Sequence, residues 1–231
     1  MSEWIQVAAA DGGSFKAYVS RPQGPPKGAV VAIQEIFGVN AVMRGKADWL
    51  AREGFLAIAP DLFWRIEPGV DITDKSEAEW AKAFHLYKKF DVEKGLSDIQ
   101  ATISAVRGQA GTGKVGAIGY CLGGLLAYLT GCRTDSDASV GYYGVSIEQR
   151  LAEADGAKKP VMLHIAEKDS FVPKDAQDAI RAGLGSRAGF ALHFYAEQDH
   201  AFTREGGAHY DAAAAKIADD RTIAFLRQHL A

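Results

Sequence analysis

Short continuous apolar runs recur along the chain, separated by longer stretches in which apolar positions return at helical spacing. Residues 29–34 (AVVAIQ), 55–60 (FLAIAP), 114–119 (KVGAIG), 138–144 (ASVGYYG), 160–166 (PVMLHIA) and 190–196 (FALHFYA) are runs of this kind. Strands buried on both faces of a parallel sheet read this way. Residues 15–20 (FKAYVS) alternate instead, as an early antiparallel strand does. Helical patterns cover 41–53, 76–107, 122–131, 174–183 and 210–229. This alternation predicts a single α/β domain over 1–231, with a mostly parallel, doubly wound sheet and helices on both faces. Ligands of such sheets sit at the carboxyl ends of the strands, so chemistry is sought where a strand has just ended.

One segment breaks the rhythm. Residues 62–75 (LFWRIEPGVDITDK) hold a Pro68-Gly69 turn and no clear period. Ser76 and Glu79 then have capping-box spacing for the next helix. A long excursion at a strand's carboxyl end reads as a lid or pocket wall, or equally as a surface connector.

Composition narrows the classes without choosing among them. The chain has 231 residues, 48% hydrophobic and 24% charged, which suits one globular domain with a large core. A net charge of −3 offers no basic face for nucleic acid. No run reaches the roughly 18 apolar residues of a membrane span. The stretch MSEWIQVAAADGG lacks a basic region and carries Glu3, so it does not read as a signal peptide. Cys121 and Cys132, placed on one helix, would lie roughly 16 Å apart, against the roughly 7 Å that a disulfide spans. No disulfide is expected, which fits a reducing, cytoplasmic setting.

The first of these cysteines stands at a telling place. Gly119-Tyr120-Cys121-Leu122-Gly123 follows a strand and opens a helix, which is the nucleophile-elbow pattern with cysteine in place of serine. Glycine on either side lets strand and helix backbones approach around a strained turn. A helix N-terminus also favours a thiolate. The alternative is a buried structural cysteine beside a glycine packing contact.

A thiolate nucleophile needs a base, and the base an orienting acid. His164 and His193 lie in strand patterns, His85 and His229 in helices, and His209 at a helix start. His200 alone falls in a loop just after the last strand. Asp169 falls just beyond the preceding strand, in HIAEKDSFVPKD. Asp199 would point elsewhere, and Asp61 fits a structural role after its own strand. The order Cys121, Asp169, His200 is that of nucleophile, acid and base in α/β-hydrolases. Their oxyanion hole uses the N–H after the nucleophile, here Leu122, and one from the loop after an early strand, here Ile36. Glu35 in that loop is either a solvated acid or a pocket carboxylate in need of a cation.

QEIFGVNAVMR, GKVGAIGYCLGG, VGYYGV and DHAFTR together resemble the dienelactone hydrolase (carboxymethylenebutenolidase) family, and the likeness covers nearly the whole chain. The resemblance implies an α/β-hydrolase fold and a hydrolase needing no metal or cofactor. It implies Cys121 as nucleophile, Asp169 and His200 as its partners, and Ile36 and Leu122 as oxyanion donors. Glu35 matches an acid that helps control the cysteine's protonation. Arg204 matches an arginine that pairs with that acid and with a substrate carboxylate, and Phe37 adjoins this pocket. The family's second arginine is replaced by Trp80. Trp80, Phe84 and Tyr87 make an aromatic stripe, which at helical spacing reads first as core and second as pocket wall.

The expected substrate is a small carboxylate-bearing lactone or ester, acted on by a monomer that binds neither nucleic acid nor membrane. The alternatives are a broader carboxylesterase or thioesterase for larger neutral acyl groups, and a non-catalytic or redox-sensing protein of the same fold.

Overall fold

The computed structural model describes residues 2–109 and 113–231. One sheet holds β1 (Ser2–Ala8), β2 (Ser14–Ser20), β3 (Ala29–Ile33), β4 (Leu56–Pro60), β5 (Val115–Tyr120), β6 (Ala138–Tyr142), β7 (Val161–Ala166) and β8 (Phe190–Tyr195). Its spatial order is β1-β2-β4-β3-β5-β6-β7-β8. β2 runs antiparallel to β1 and β4, and the pairings from β4 through β8 are parallel. Every residue of β3, β4, β5, β6 and β7 is buried, as their continuous apolar runs require.

The helices are α1 (Ala41–Arg52), α2 (Glu77–Lys89), α3 (Val92–Arg107), α4 (Leu122–Arg133), α5 (Lys174–Leu184) and α6 (Ala212–Leu230). Gly116 of β5 faces Leu226 and Leu230 of α6, whereas Gly119 faces the backbone of α4. Side chains alternate along a strand, so these two helices cover opposite faces of the sheet. The chain folds as a mostly parallel α/β sheet with helices on both sides.

Three elements differ from the sequence-based expectation. The N-terminal strand β1 was not anticipated, because it is an edge strand with only Val7 buried and carries no hydrophobic pattern. The helix expected over 76–107 is two helices. Asp91 caps α3 by accepting from the Glu93 and Lys94 amides, and Gly95 leaves room for the Phe90 ring, which an added Cβ would meet at 2.4 Å. A 3-10 segment, Ile147–Gly156, follows β6 where no element was expected.

The excursion after β4 is pinned rather than loose. Asp61 accepts from the amides of Phe63 and Gly69, the structural role expected of it. Asn40 donates to the Ile72 carbonyl at 2.9 Å, and Gly38 approaches Val70 so closely that a Cβ would sit 1.9 Å from its carbonyl oxygen. The capping box forms, with Ser76 Oγ accepting from the Glu79 amide.

Candidate active site

Cys121 stands between β5 and α4 with φ 57° and ψ −116°, a left-handed conformation that costs a non-glycine residue energy. The glycines around it explain how the turn is made. A Cβ on Gly119 would lie 1.9 Å from the Gly123 carbonyl oxygen, and one on Gly123 would lie 2.4 Å from that of Ile33. β5, α4 and the end of β3 thus meet backbone to backbone, at distances no side chain permits. Among the described residues, the other non-glycine positions with positive φ are Tyr143, Ser146 and Ala201. Ser146 lines the same pocket as Cys121, Ala201 follows His200, and the Tyr143 ring packs 5.1 Å from the His200 ring. Backbone strain is gathered at this one place.

β7 and β8 are parallel neighbours, and the loops after them deliver the next two groups. His200 Nδ1 lies 2.7 Å from Asp169 Oδ2, and both residues are buried. The other carboxylate oxygen of Asp169 accepts from the Phe171 amide at 2.8 Å, which fixes the acid's orientation. Asp199 accepts from the His200 amide rather than from its ring, in line with its expected direction elsewhere. Burial alone would push the His200 imidazole down. The neighbouring Cys121 sulfur and the Asp169 carboxylate override burial and raise it to about 10. The imidazole lines the same pocket as the Cys121 sulfur. Cys132 lies buried on α4 and is unpaired, as is Cys121.

Leu122 is the first residue of α4, so its N–H has no acceptor within the helix. Ile36 lines the pocket in front of Cys121. Gln34 holds the loop that carries Ile36: its Oε1 accepts from the Leu62 amide at 2.9 Å, tying the β3 and β4 ends together.

Glu35 is not a solvated loop acid. It is buried, and its two oxygens accept from Arg204 Nε at 2.8 Å and Nη2 at 2.9 Å. Arg204 Nη1 donates to Asp74 Oδ2 at 2.9 Å. Burial works against the Arg204 charge, and Glu35 more than compensates, raising its pKa. Asp74 carried no signal in the sequence, because it sits in the aperiodic excursion.

The pocket has a volume of about 130 Å³. The aromatic stripe proves to be pocket wall, not plain core. Trp80, Phe84 and Tyr87 line it together with Phe37, Phe171 and Val145. Trp80 meets Phe37 edge to face at 5.1 Å, stacks on Phe84 at 5.5 Å, and donates its indole N–H to the Asp74 carbonyl. Residues 62–75 supply none of this lining among the described residues. Their contribution is Asp74, which acts through Arg204.

Residues 15–230 match the dienelactone hydrolase family. The chain belongs to that family. It is 45% identical to the "Putative carboxymethylenebutenolidase" of Azospirillum brasilense, over 98% of each chain. It is 39% identical to the carboxymethylenebutenolidase of Pseudomonas putida, over 98% of this chain and 96% of that one. Among solved structures it superposes on the "Putative Dienelactone Hydrolase" of Klebsiella pneumoniae with a TM-score of 0.86 and 27% identity, over 99% of both chains. It is thus a hydrolase of the dienelactone hydrolase type with the α/β-hydrolase fold. Among the described residues, no helix is long and apolar enough to cross a membrane.

Proposed function

We propose that this protein opens a lactone or ester bond through a thioester formed on Cys121. The observation that supports this most is His200, buried against Asp169 at 2.7 Å and lining the same pocket as Cys121. The Cys121 sulfur attacks the acyl carbon as a thiolate, with its proton held on His200. The carbonyl oxygen becomes an oxyanion and takes hydrogen bonds from the Ile36 and Leu122 amides. As the tetrahedral intermediate collapses, the acyl carbon–oxygen bond breaks and His200 delivers its proton to the departing oxygen. Water then adds to the thioester while His200 accepts a proton from it. The thiolate leaves, and the carboxylic acid is released. Asp169 holds the imidazole in the orientation both steps need.

Two substrate classes fit this chemistry. In one, Arg204 receives the carboxylate of a small dienelactone-like substrate. In the other, a larger neutral acyl group lies against the Trp80–Phe84–Tyr87 face, and the aromatic lining favours it.

The test is partial alkylation with iodoacetamide, followed by peptide mass mapping and hydrolysis assays on the same samples. Activity should fall in proportion to the fraction of Cys121 modified and should not follow Cys132. Activity retained by protein fully modified at Cys121 contradicts the proposal.

A further inference from the structure

Arg204 is a buried cation of this pocket, and its surroundings bear on which acyl groups can enter. A guanidinium offers five N–H donors in a planar fork. Here Nε and Nη2 bond Glu35, and Nη1 bonds Asp74, so each of the three nitrogens already faces a carboxylate. The Arg204 side chain is 8% exposed, that of Glu35 3% and that of Asp74 11%, so water screens the cluster little. Lys75 approaches Asp74 at 3.6 Å but is 61% exposed, and its amine also donates to the Gly206 carbonyl, outside the cluster. Two carboxylates therefore share one buried cation. A substrate carboxylate would be the third anion on that guanidinium and would meet like-charge repulsion at close range.

The rest of the wall offers apolar contact. Phe37 lies under the guanidinium at 5.0 Å, and Trp80 and Phe84 line the same pocket. Asp74 also ties these features together, because its backbone carbonyl accepts the Trp80 indole N–H at 3.1 Å. One residue thus occupies the free edge of Arg204 with its side chain and orients the aromatic wall with its backbone.

We infer that Asp74 is a specificity-determining residue, which turns this pocket away from carboxylate-bearing substrates and toward neutral aromatic or unsaturated acyl groups. The inference rests on the Cys121 hydrolase reading for the reaction, but its test is made without turnover. Binding of cinnamate and of its neutral isostere cinnamamide is measured by calorimetry for the native protein and for Asp74→Asn. Asparagine keeps an oxygen for Arg204 Nη1 and removes only the charge, and an unchanged Tm confirms that the pocket is intact.

The native protein should bind cinnamamide at least about tenfold more tightly than cinnamate. Asp74→Asn should tighten cinnamate by about tenfold and leave cinnamamide within about twofold. A native preference for cinnamate, a cinnamate affinity unmoved in Asp74→Asn, or binding of neither probe would each overturn the inference. Neither probe carries a hydrolysable ester, so the outcome is independent of whether Cys121 is the nucleophile. A failure of that reading shows instead as hydrolysis surviving in Cys121→Ala.

Discussion

His200 Nδ1 lies 2.7 Å from Asp169 Oδ2, although the two residues belong to different loops. The contact follows from sheet order. β7 and β8 pair in parallel register, with Ala166 opposite Tyr195, so both strands end at the same level and release their loops side by side. Asp169 is three residues beyond the end of β7 and His200 five beyond that of β8. A rigid frame thus sets a distance that hydrogen bonding then fixes.

Replacing Asp169 by asparagine removes the carboxylate that helps hold the His200 proton. Turnover should fall by a factor on the order of 10²–10⁴, as in other hydrolases whose orienting acid is lost. The pH profile gives a second readout. His200 keeps its proton up to about 10 in the native protein, so kcat/KM should hold through neutral pH and decline only as that proton is lost. Asp169 raises the imidazole, so its removal lowers it and shifts the alkaline limb to lower pH. An alkaline limb that stays in place would separate Asp169 from His200.

At the elbow, Gly123→Ala forces a methyl group to 2.4 Å from the Ile33 carbonyl oxygen and 2.6 Å from that of Gln34. Both are backbone atoms and cannot rotate away. The variant should lose about 1–3 kcal/mol in urea unfolding at unchanged m, with hydrolysis reduced because the Ile36 loop is displaced. Gly45→Ala is the control. It lies in α1 with nothing within 4 Å of the new methyl, and should gain about 0.5–1 kcal/mol.

The Arg204–Glu35–Asp74 cluster predicts an asymmetric mutant series. Arg204→Met leaves the buried Glu35 and the partly buried Asp74 without their cation and should cost about 3–5 kcal/mol in denaturant unfolding. Glu35→Gln keeps Arg204 on Asp74 and should cost less. The double variant Glu35→Gln/Arg204→Met should regain part of the loss, because one orphaned charge is gone. Simple additivity of the two single variants would show that the pair is not coupled.

The elbow was legible because its physics is local: flanking glycines, a preceding apolar run and a following helix. The Asp169–His200 contact was legible through chain order, since each residue falls just past a readable strand. The Glu35–Arg204 pair was not, because it joins residues 169 positions apart and rested on family resemblance alone. Asp74 left no trace, because an aperiodic excursion says nothing about where one carboxylate will point. Trp80 was visible as part of a stripe, but periodicity cannot tell a face turned to the core from one turned to a pocket. β1 escaped for the opposite reason, being a strand too exposed to show a pattern.

The most direct measurement is kcat/KM for an ester or lactone with Cys121→Ala, alongside its Tm. Alanine removes the sulfur without adding bulk. The Tm should stay near the native value, while hydrolysis should fall at least about 100-fold, as loss of a nucleophile requires. Residual turnover above roughly one part in a hundred, in folded protein, would mean that the bond is broken without Cys121.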